Sequence, residues 1–145
     1  MSVNDNGAIV RCYGITKDPK TNNFMIVMQY AINGSLRQYL NNNYNSFNWH
    51  EKLHNLYAIA LGLKTIHDKG LIHHDFHCGN ILNDIQYNSS SSRDTYSLIT
   101  DLGLCKPANL KSSQEGDKKI YGVLPYVAPE VLRRKEYTSA KFFRG

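Results

Sequence analysis

The sequence predicts an α+β fold, on the evidence of two strand-like runs, one long amphipathic helix and a second pair of short strands. The runs 9–15 and 24–30 are rich in β-branched and aromatic residues, and the segment between them, 17–23, is dense in turn formers. Two antiparallel strands joined by a loop are therefore expected near the start of the chain.

A short helix is predicted after these strands. Asn33-Gly34 breaks the second strand, and Ser35 is placed to cap a helix that runs to about Leu40. The asparagine tract 41–43 is expected to be a polar loop that follows this helix.

The strongest helix signal begins at Asn48. Asn48 and Glu51 form a capping-box pattern, and Gly70 is placed to end the helix. Apolar residues recur at helical spacing between these ends, and we interpret them as one core face: Trp49, Leu53, Leu56, Tyr57, Ala60, Leu63 and Ile66.

The second half of the chain reads as short elements between loops. Strands are predicted at 81–82 and 97–100, on either side of a serine-rich stretch at 88–93 that we interpret as a flexible excursion. An irregular loop is expected over 104–127, and a short helix from Pro129 to about Lys135.

Length and composition indicate one soluble globular domain. The chain has 145 residues, of which 41% are hydrophobic and 20% charged. No apolar run is long enough to span a bilayer, so no membrane span is expected. The first residues lack the basic and apolar regions of a signal peptide, which favours a cytoplasmic location.

Cysteine usage and charge exclude two further classes. Cys12, Cys78 and Cys105 are an odd number without a repeated spacing, which fits a reducing compartment rather than a disulfide framework. The net charge of +5 is scattered, with small clusters at 118–119 and 133–135, and no nucleic-acid-binding motif accompanies it. No nucleic-acid partner is expected.

The chemistry-bearing residues lie in three short motifs. The stretch 72–80 places Asp75 and Asn80 five residues apart, Asp101 follows in Asp101-Leu102-Gly103, and Ala-Pro-Glu stands at 128–130. Phosphoryl transfer needs an acid that accepts a hydroxyl proton, together with an amide and an acid that hold a hard cation. The three motifs together supply all of these groups.

In order and spacing, these motifs resemble the protein-kinase signature His-Arg-Asp…Asn, Asp-Phe-Gly and Ala-Pro-Glu. The resemblance covers about 9–140 and looks tyrosine-kinase-like at 33–36 and 70–73. It implies a protein-kinase-like fold truncated at both ends, with a partial small lobe and the first half of the helical large lobe. It divides the chain into small-lobe strands and hinge, 1–31, and a large-lobe part with the catalytic and activation loops, 32–145.

The resemblance also implies the catalytic residues. Asp75 matches the catalytic base, which accepts the proton of a protein hydroxyl. Asn80 and Asp101 match the two ligands of Mg²⁺, which neutralises charge on the transferred phosphoryl group of ATP. His73 matches a packing histidine below the turn of Asp101, and Cys12 is expected to be buried in the same column.

Four further residues match the adenine pocket of the family. Met28 corresponds to the residue that controls the depth of the pocket. The backbones of Gln29 and Ala31 would hydrogen-bond the adenine edge, and Leu82 would pack beneath the ring.

The chain departs from the family pattern at three positions. His74 stands where the motif has Arg, and a histidine grips phosphate less surely than Arg at neutral pH. This argues against activation by phosphorylation of the loop that carries Ser112-Ser113 and Tyr121. His77 and Val123 stand where serine/threonine kinases carry Lys and Thr, and tyrosine kinases differ here too, which leaves the acceptor hydroxyl (Ser/Thr or Tyr) open.

The expected function is ATP-dependent phosphorylation of a protein substrate in intracellular signalling. The 145 residues contain no Gly-x-Gly-x-x-Gly loop, so we expect them to transfer phosphate weakly or not at all when isolated. The alternative is a catalytically inactive kinase-like module that binds partners. A zinc site built from the ligand-rich stretch 73–78 is disfavoured, because paired and spaced ligand motifs are missing.

Overall fold

The computed structural model describes residues 7–87, 93–107 and 123–133. The predicted serine-rich excursion lies mostly outside these ranges, as do much of the predicted 104–127 loop and Ser112-Ser113 and Tyr121. The helices are α1 (Leu36–Asn43), α2 (Trp49–Asp68) and α3 (Pro129–Leu132), and short 3-10 turns occupy Leu102–Leu104 and Leu124–Tyr126. The strands are β1 (Cys12–Lys17), β2 (Phe24–Met28), β3 (Leu71–Ile72), β4 (Ile81–Tyr87), β5 (Arg93–Ile99) and β6 (Lys106–Pro107).

These strands form antiparallel pairs, and the first pair confirms the predicted N-terminal hairpin. β1 pairs with β2, β3 with β6, and β4 with β5. The first strand begins later than predicted, because residues 8–10 pair with the end of β5 instead. Val10 N–H donates to the Ile99 carbonyl, and Ile99 N–H donates to the Ala8 carbonyl, both at 2.9 Å. Burial of Ile9 accompanies this pairing.

The prediction that Cys12 belongs to the core is wrong. Every residue of β1 is exposed, and the Cys12 thiol is exposed with them. The apolar residue of this segment that reaches the core is Ile9, which precedes β1.

Helix α1 begins where predicted and ends later. Ser35 Oγ accepts from Gln38 N–H at 3.3 Å, and Gln38 Oε1 accepts from Ser35 N–H at 2.9 Å, which completes a capping box. The asparagine tract, predicted as a loop, continues the helix to Asn43. Its last member explains part of this difference, because Asn43 Nδ2 donates to the Tyr39 carbonyl one turn back at 2.9 Å.

Both predicted ends of α2 are confirmed. Glu51 N–H donates to Asn48 Oδ1 and Asn48 N–H donates to Glu51 Oε2, each at 3.0 Å. The helix ends at Asp68, and Gly70 follows with a φ of 68°, the left-handed conformation that glycine adopts at helix ends. None of the helices in the described ranges is both long and apolar enough to cross a membrane.

The predicted core face of α2 is largely wrong. Leu63 and Ile66 are buried, but the other large apolar side chains of the stripe are exposed, Trp49 at 73%. The rest of the buried face consists of small and polar residues, among them Ala58 and Gly62. Small residues bury here because β5 packs directly against the helix: a Cβ on Gly62 would lie 2.8 Å from Ile99 Cδ1.

One apolar cluster holds the helix, the strands and two loops together. Its buried members are Ile9, Leu63, Ile66 and Ile99, and partly buried side chains pack against them: Ile59, Leu71, Phe76 and Leu102. Phe76 comes from the loop that carries Asp75, and Leu102 follows Asp101. The core therefore anchors both loops that bear the predicted catalytic residues.

A buried polar network joins α2 to the β4–β5 pair. Asn83 Nδ2 donates to Asn55 Oδ1 at 2.9 Å, and Ser97 Oγ donates to the same oxygen at 2.7 Å. Asn55 Nδ2 donates to Thr95 Oγ1 at 3.1 Å. Asn33 Nδ2, which lies before α1, donates to Asn83 Oδ1 at 2.8 Å. These bonds satisfy the amides in the interior and connect the segment before α1 to the helix.

Candidate active site

Strand pairing brings together the two loops that carry the predicted catalytic residues. The loop 73–80 connects β3 to β4, and the loop 100–105 connects β5 to β6. β3 pairs with β6, and β4 pairs with β5. The start of each loop therefore lies next to the end of the other loop. The sequence separation between Asp75 and Asp101 therefore does not separate them in the fold.

His73 supports both loops from the interior of the domain, as the resemblance implied. It is almost completely buried, and its ring has one partner in each loop. His73 Nε2 lies 2.9 Å from the Thr100 carbonyl, to which it donates, and Nδ1 accepts from Asp75 N–H at 3.3 Å. The ring also packs edge-on against Phe76 at 5.7 Å between centroids.

Asn80 connects the predicted base to the predicted metal-binding turn. Its Nδ2 donates to the Asp75 carbonyl at 3.0 Å and to Asp75 Oδ2 at 3.1 Å. Its backbone carbonyl accepts from Thr100 N–H at 3.0 Å, one residue before Asp101. The structure thus bonds the backbone of Asn80 to Thr100, the neighbour of Asp101, and the side chain of Asn80 to Asp75.

Asp101 occupies an unusual backbone conformation. Its φ of 58° and ψ of 54° lie in the left-handed region, which Asp tolerates better than most residues, and its side chain is exposed. The exposed carboxylate of Asp101 and the amide oxygen of Asn80 are the hard oxygen donors that Mg²⁺ prefers alongside water. Within the parts of the chain that the structure describes, no group of at least three His, Cys, Asp or Glu side chains could hold a metal.

The predicted adenine-pocket residues lie on two adjacent segments. Met28 ends β2, and Gln29 N–H donates to the Arg11 carbonyl at 2.8 Å. Ala31 is buried, and its carbonyl accepts from the Gly34 N–H at 3.2 Å.

Leu82 lies across from this segment. It is half-buried on β4 and bridges to Ser35, just beyond the hinge. At the next residue of β4, Asn83 N–H donates to the Gly34 carbonyl at 2.9 Å, and the Asn83 carbonyl accepts from Asn33 N–H at 3.2 Å. These bonds hold Asn33 and Gly34, just after the predicted hinge, against β4.

Asp84 contacts residues 29 and 32, at and just after the predicted hinge, and was missed by the sequence analysis. Its Oδ1 accepts from Ile32 N–H at 3.3 Å, and its Oδ2 lies 3.5 Å from both Gln29 Nε2 and Tyr96 Oη. Its place on β4, two residues after Leu82, was the available signal. An acid in a strand is read as solvent-facing unless its partners are known.

Three side chains from different elements meet beside the loop that carries Asp75. The sequence analysis did not predict this contact. Arg37 Nε of α1 donates to Cys78 Sγ at 3.4 Å, and Tyr126 Oη lies 3.6 Å from the same sulfur. Burial opposes ionisation of the thiol, but the hydrogen bonds from Arg37 and Tyr126 outweigh it and lower the pKa of Cys78. The contact joins α1 and the 124–126 turn to the loop of Asp75.

Two further pKa shifts occur beside the predicted catalytic residues. Burial, with a smaller contribution from the nearby charge of Lys106, lowers the pKa of His74 and so favours the neutral ring near pH 7. Burial and the Asp101 carboxylate raise the pKa of Cys105 to about 11, so this cysteine stays a thiol.

Comparison with known proteins identifies the family of this chain. A family model described as protein tyrosine and serine/threonine kinase matches residues 1–141. The serine/threonine-protein kinase CLA4 of Candida albicans is 30% identical over 116 residues, which are 80% of this chain and 11% of that protein. An Aurora kinase of Debaryomyces hansenii is 32% identical over 132 residues, 89% of this chain and 28% of its own length.

A tyrosine-protein kinase is also among the relatives. SPK-1 of Girardia tigrina is 24% identical over 132 residues, 90% of this chain and 25% of that protein. The chain belongs to the protein kinase family, and its α+β elements are those of a protein-kinase-like fold. It spans between 11% and 28% of the length of these relatives.

Proposed function

We propose that this chain carries the catalytic loop and metal-binding turn of a protein kinase, which transfers the γ-phosphoryl group of ATP to a hydroxyl of a protein substrate. The observation that carries the proposal is the double connection of Asn80. Its side chain is bonded to Asp75, and its backbone carbonyl is bonded to Thr100, next to Asp101. A base and two oxygen ligands for a cation thereby share one site.

In this site Asp75 accepts the proton of the attacking hydroxyl. Asn80 Nδ2 orients Asp75. The amide oxygen of Asn80 and the Asp101 carboxylate are the groups that would hold the cation. Bound there, Mg²⁺ supplies charge neutralisation for the phosphate oxygens of ATP. The left-handed backbone of Asp101 and the packing of Leu102 against the core set the position of the Asp101 carboxylate.

We assign the adenine edge to two backbone groups of the hinge. Since the Gln29 N–H and the Ala31 carbonyl already have protein partners, the Gln29 carbonyl and the Ala31 N–H are the groups that pair with adenine. Met28 then borders the pocket and Leu82 lies beneath the ring. On this proposal residues 1–31 are small-lobe strands and hinge, residues 32–145 are large lobe, and the enzyme acts in cytoplasmic signalling.

Binding of Mg·ATP tests the site without requiring turnover. A ligand that binds the folded chain stabilises it by mass action, by about 2.7 kcal/mol at a concentration of 100 times Kd. We expect millimolar Mg·ATP to raise the Tm of the 145-residue chain, and Asp101→Asn to reduce that rise. Asp68→Asn, which changes an exposed acid on α2, is the matched control and should keep the full rise. An equal rise in both variants contradicts the assignment of Asp101.

Phosphate transfer is measured separately with γ-labelled ATP and a mixture of peptides that contain Ser, Thr or Tyr. From the sequence we expect the isolated 145 residues to transfer phosphate weakly or not at all. Any transfer should be abolished by Asp75→Asn, since the carboxylate that takes the proton is lost. Robust transfer by the isolated chain would refute the expectation of weak activity, and transfer that survives Asp75→Asn would refute the role of Asp75.

A second candidate, a kinase-like module that binds partners without catalysis, is supported by the exposed apolar stripe of α2. Trp49, Leu53 and Tyr57 are each more than half exposed, a large apolar surface for a soluble domain. Absence of any Tm rise at millimolar Mg·ATP would favour this candidate.

A further inference from the structure

The carboxylate of Asp75 is approached from two sides. Asn80 Nδ2 donates to Oδ2 at 3.1 Å. The other oxygen, Oδ1, is buried without a hydrogen-bond partner, and the nearest cationic or imidazole nitrogen in the described residues is His77 Nε2, at 3.5 Å. A buried carboxylate oxygen without a hydrogen-bond partner is costly. A nearby side chain that can donate to Oδ1 would remove this cost.

The tautomer of His77 makes it that donor. Gly79 N–H donates to His77 Nδ1 at 3.0 Å, so Nδ1 must carry a lone pair. In the neutral ring the proton then resides on Nε2, the nitrogen that faces Asp75. The ring therefore points an N–H group at Oδ1 without needing to be charged.

The position of the ring is set by its neighbours. A Cβ on Gly79 would lie 2.8 Å from His77 Cε1 and 2.9 Å from Nδ1, so only glycine allows the ring to sit so close to this turn. On another side the Tyr126 ring packs against it, with 6.0 Å between centroids. The side chain of His77 is only 13% exposed.

We propose that His77 is a positioning residue that orients the base Asp75 by donating from Nε2 to Oδ1, an inference that rests on the proposed function. Asn80 and His77 then fix the carboxylate plane from both oxygens, and each oxygen keeps a lone pair for the acceptor hydroxyl. The separation of 3.5 Å is longer than an ordinary hydrogen bond. Catalytic contacts are often long in the free enzyme, and this one shortens when the substrates bind.

Two substitutions separate this role from a structural one. Gln at position 77 places an N–H group near Nε2, whereas Asn places its polar atoms near Nδ1. His77→Gln therefore keeps the donor to Asp75, and His77→Asn keeps the acceptor for Gly79 N–H but loses that donor. A third variant, Gly79→Ala, keeps the histidine at position 77, but the new Cβ displaces its imidazole ring.

Nuclear magnetic resonance of the 145-residue chain tests the contact directly. We expect ¹⁵N spectra to show the Nε2–H tautomer for His77, with a slowly exchanging Hε2 proton. That proton should exchange rapidly in Asp75→Ala and in Gly79→Ala, because its acceptor is removed or the ring is displaced. An Nδ1–H tautomer, or an Hε2 proton unaffected by Asp75→Ala, would overturn the proposal.

Turnover provides the second readout. We expect His77→Asn to lower kcat for phosphate transfer by roughly tenfold to a hundredfold with KM for ATP unchanged, and His77→Gln to recover most of it. Equal kcat values for the Asn variant and the wild type would overturn the positioning role. If neither the wild type nor any variant transfers phosphate, which is a result expected of the isolated chain, the Mg·ATP binding experiment decides the proposed function, and the resonance experiment alone decides whether His77 holds Asp75.

Discussion

The side-chain amide of Asn83 donates to Asn55 Oδ1 at 2.9 Å in the interior of the domain. Asn83 also accepts from Asn33 Nδ2, so one buried residue joins helix α2 to the segment before α1. The segment just after the proposed hinge is thus held by polar contacts that are shielded from water, where an unpaired amide is expensive.

We predict that Asn83→Ala lowers the free energy of unfolding by about 2–4 kcal/mol, because it leaves Asn33 Nδ2 without its acceptor and opens a small cavity. Urea unfolding monitored by circular dichroism measures the change. Asn45→Ala, at an exposed position in the turn after α1, is the control and should lie within about 0.5 kcal/mol of the wild type. A similar small effect for both variants would show that the network contributes little.

A second prediction concerns the contact between α2 and β5. In an open helix, Gly62→Ala would stabilise the chain by about 1 kcal/mol through helix propensity. Here the new Cβ would meet the Ala8 carbonyl oxygen at 2.9 Å as well as Ile99 Cδ1. We therefore expect a net loss of about 1–2 kcal/mol in the free energy of unfolding. A gain in stability would mean that β5 does not approach the helix as closely as described.

A third prediction follows from the lowered pKa of His74. The ordinary histidine pKa is 6.5, and in the folded chain burial moves it downward. Between these two values the unfolded chain binds more protons than the folded one, so stability rises with pH. The contribution is fully present above pH 6.5 and is lost as the pH falls below it.

His74→Asn is the variant that tests this assignment, because Asn does not titrate and tolerates the φ of 67° found at this position. We expect the wild type to lose more stability than His74→Asn between pH 7.5 and pH 5.5, measured by urea unfolding at each pH. Parallel pH profiles would show that His74 titrates equally in the folded and unfolded chains.

Local sequence signals predicted the elements well where the determinants are close in the chain. The cap at Ser35, the capping box at Asn48 and the glycine after α2 need only three or four neighbouring residues, and the structure confirms them. The hairpin was also predicted, although its first strand begins later. The asparagine tract was misjudged because Asn43 bonds back to Tyr39, which helix propensity alone does not reveal.

Contacts between residues that are far apart in the sequence could not be predicted from the sequence. Apolar periodicity identified a stripe on α2, but β5 packs on an adjoining face of small and polar residues, which hydrophobicity does not mark. The Asn55–Asn83 bond, the hinge contacts of Asp84 and the approach of His77 to Asp75 also depend on which loops meet. The three predicted catalytic residues came from spaced motifs, and their roles stay predictions.

Binding of Mn²⁺·ATP to the 145-residue chain, followed by nuclear magnetic resonance, tests most directly whether Asp75, Asn80 and Asp101 surround one metal-bound triphosphate. The paramagnetic ion broadens resonances near it, so we expect the backbone amides of Asn80 and Asp101 to broaden first, and those of Asn45 to stay sharp. Asp101→Asn should weaken the effect. Broadening that leaves both Asn80 and Asp101 sharp would contradict the account.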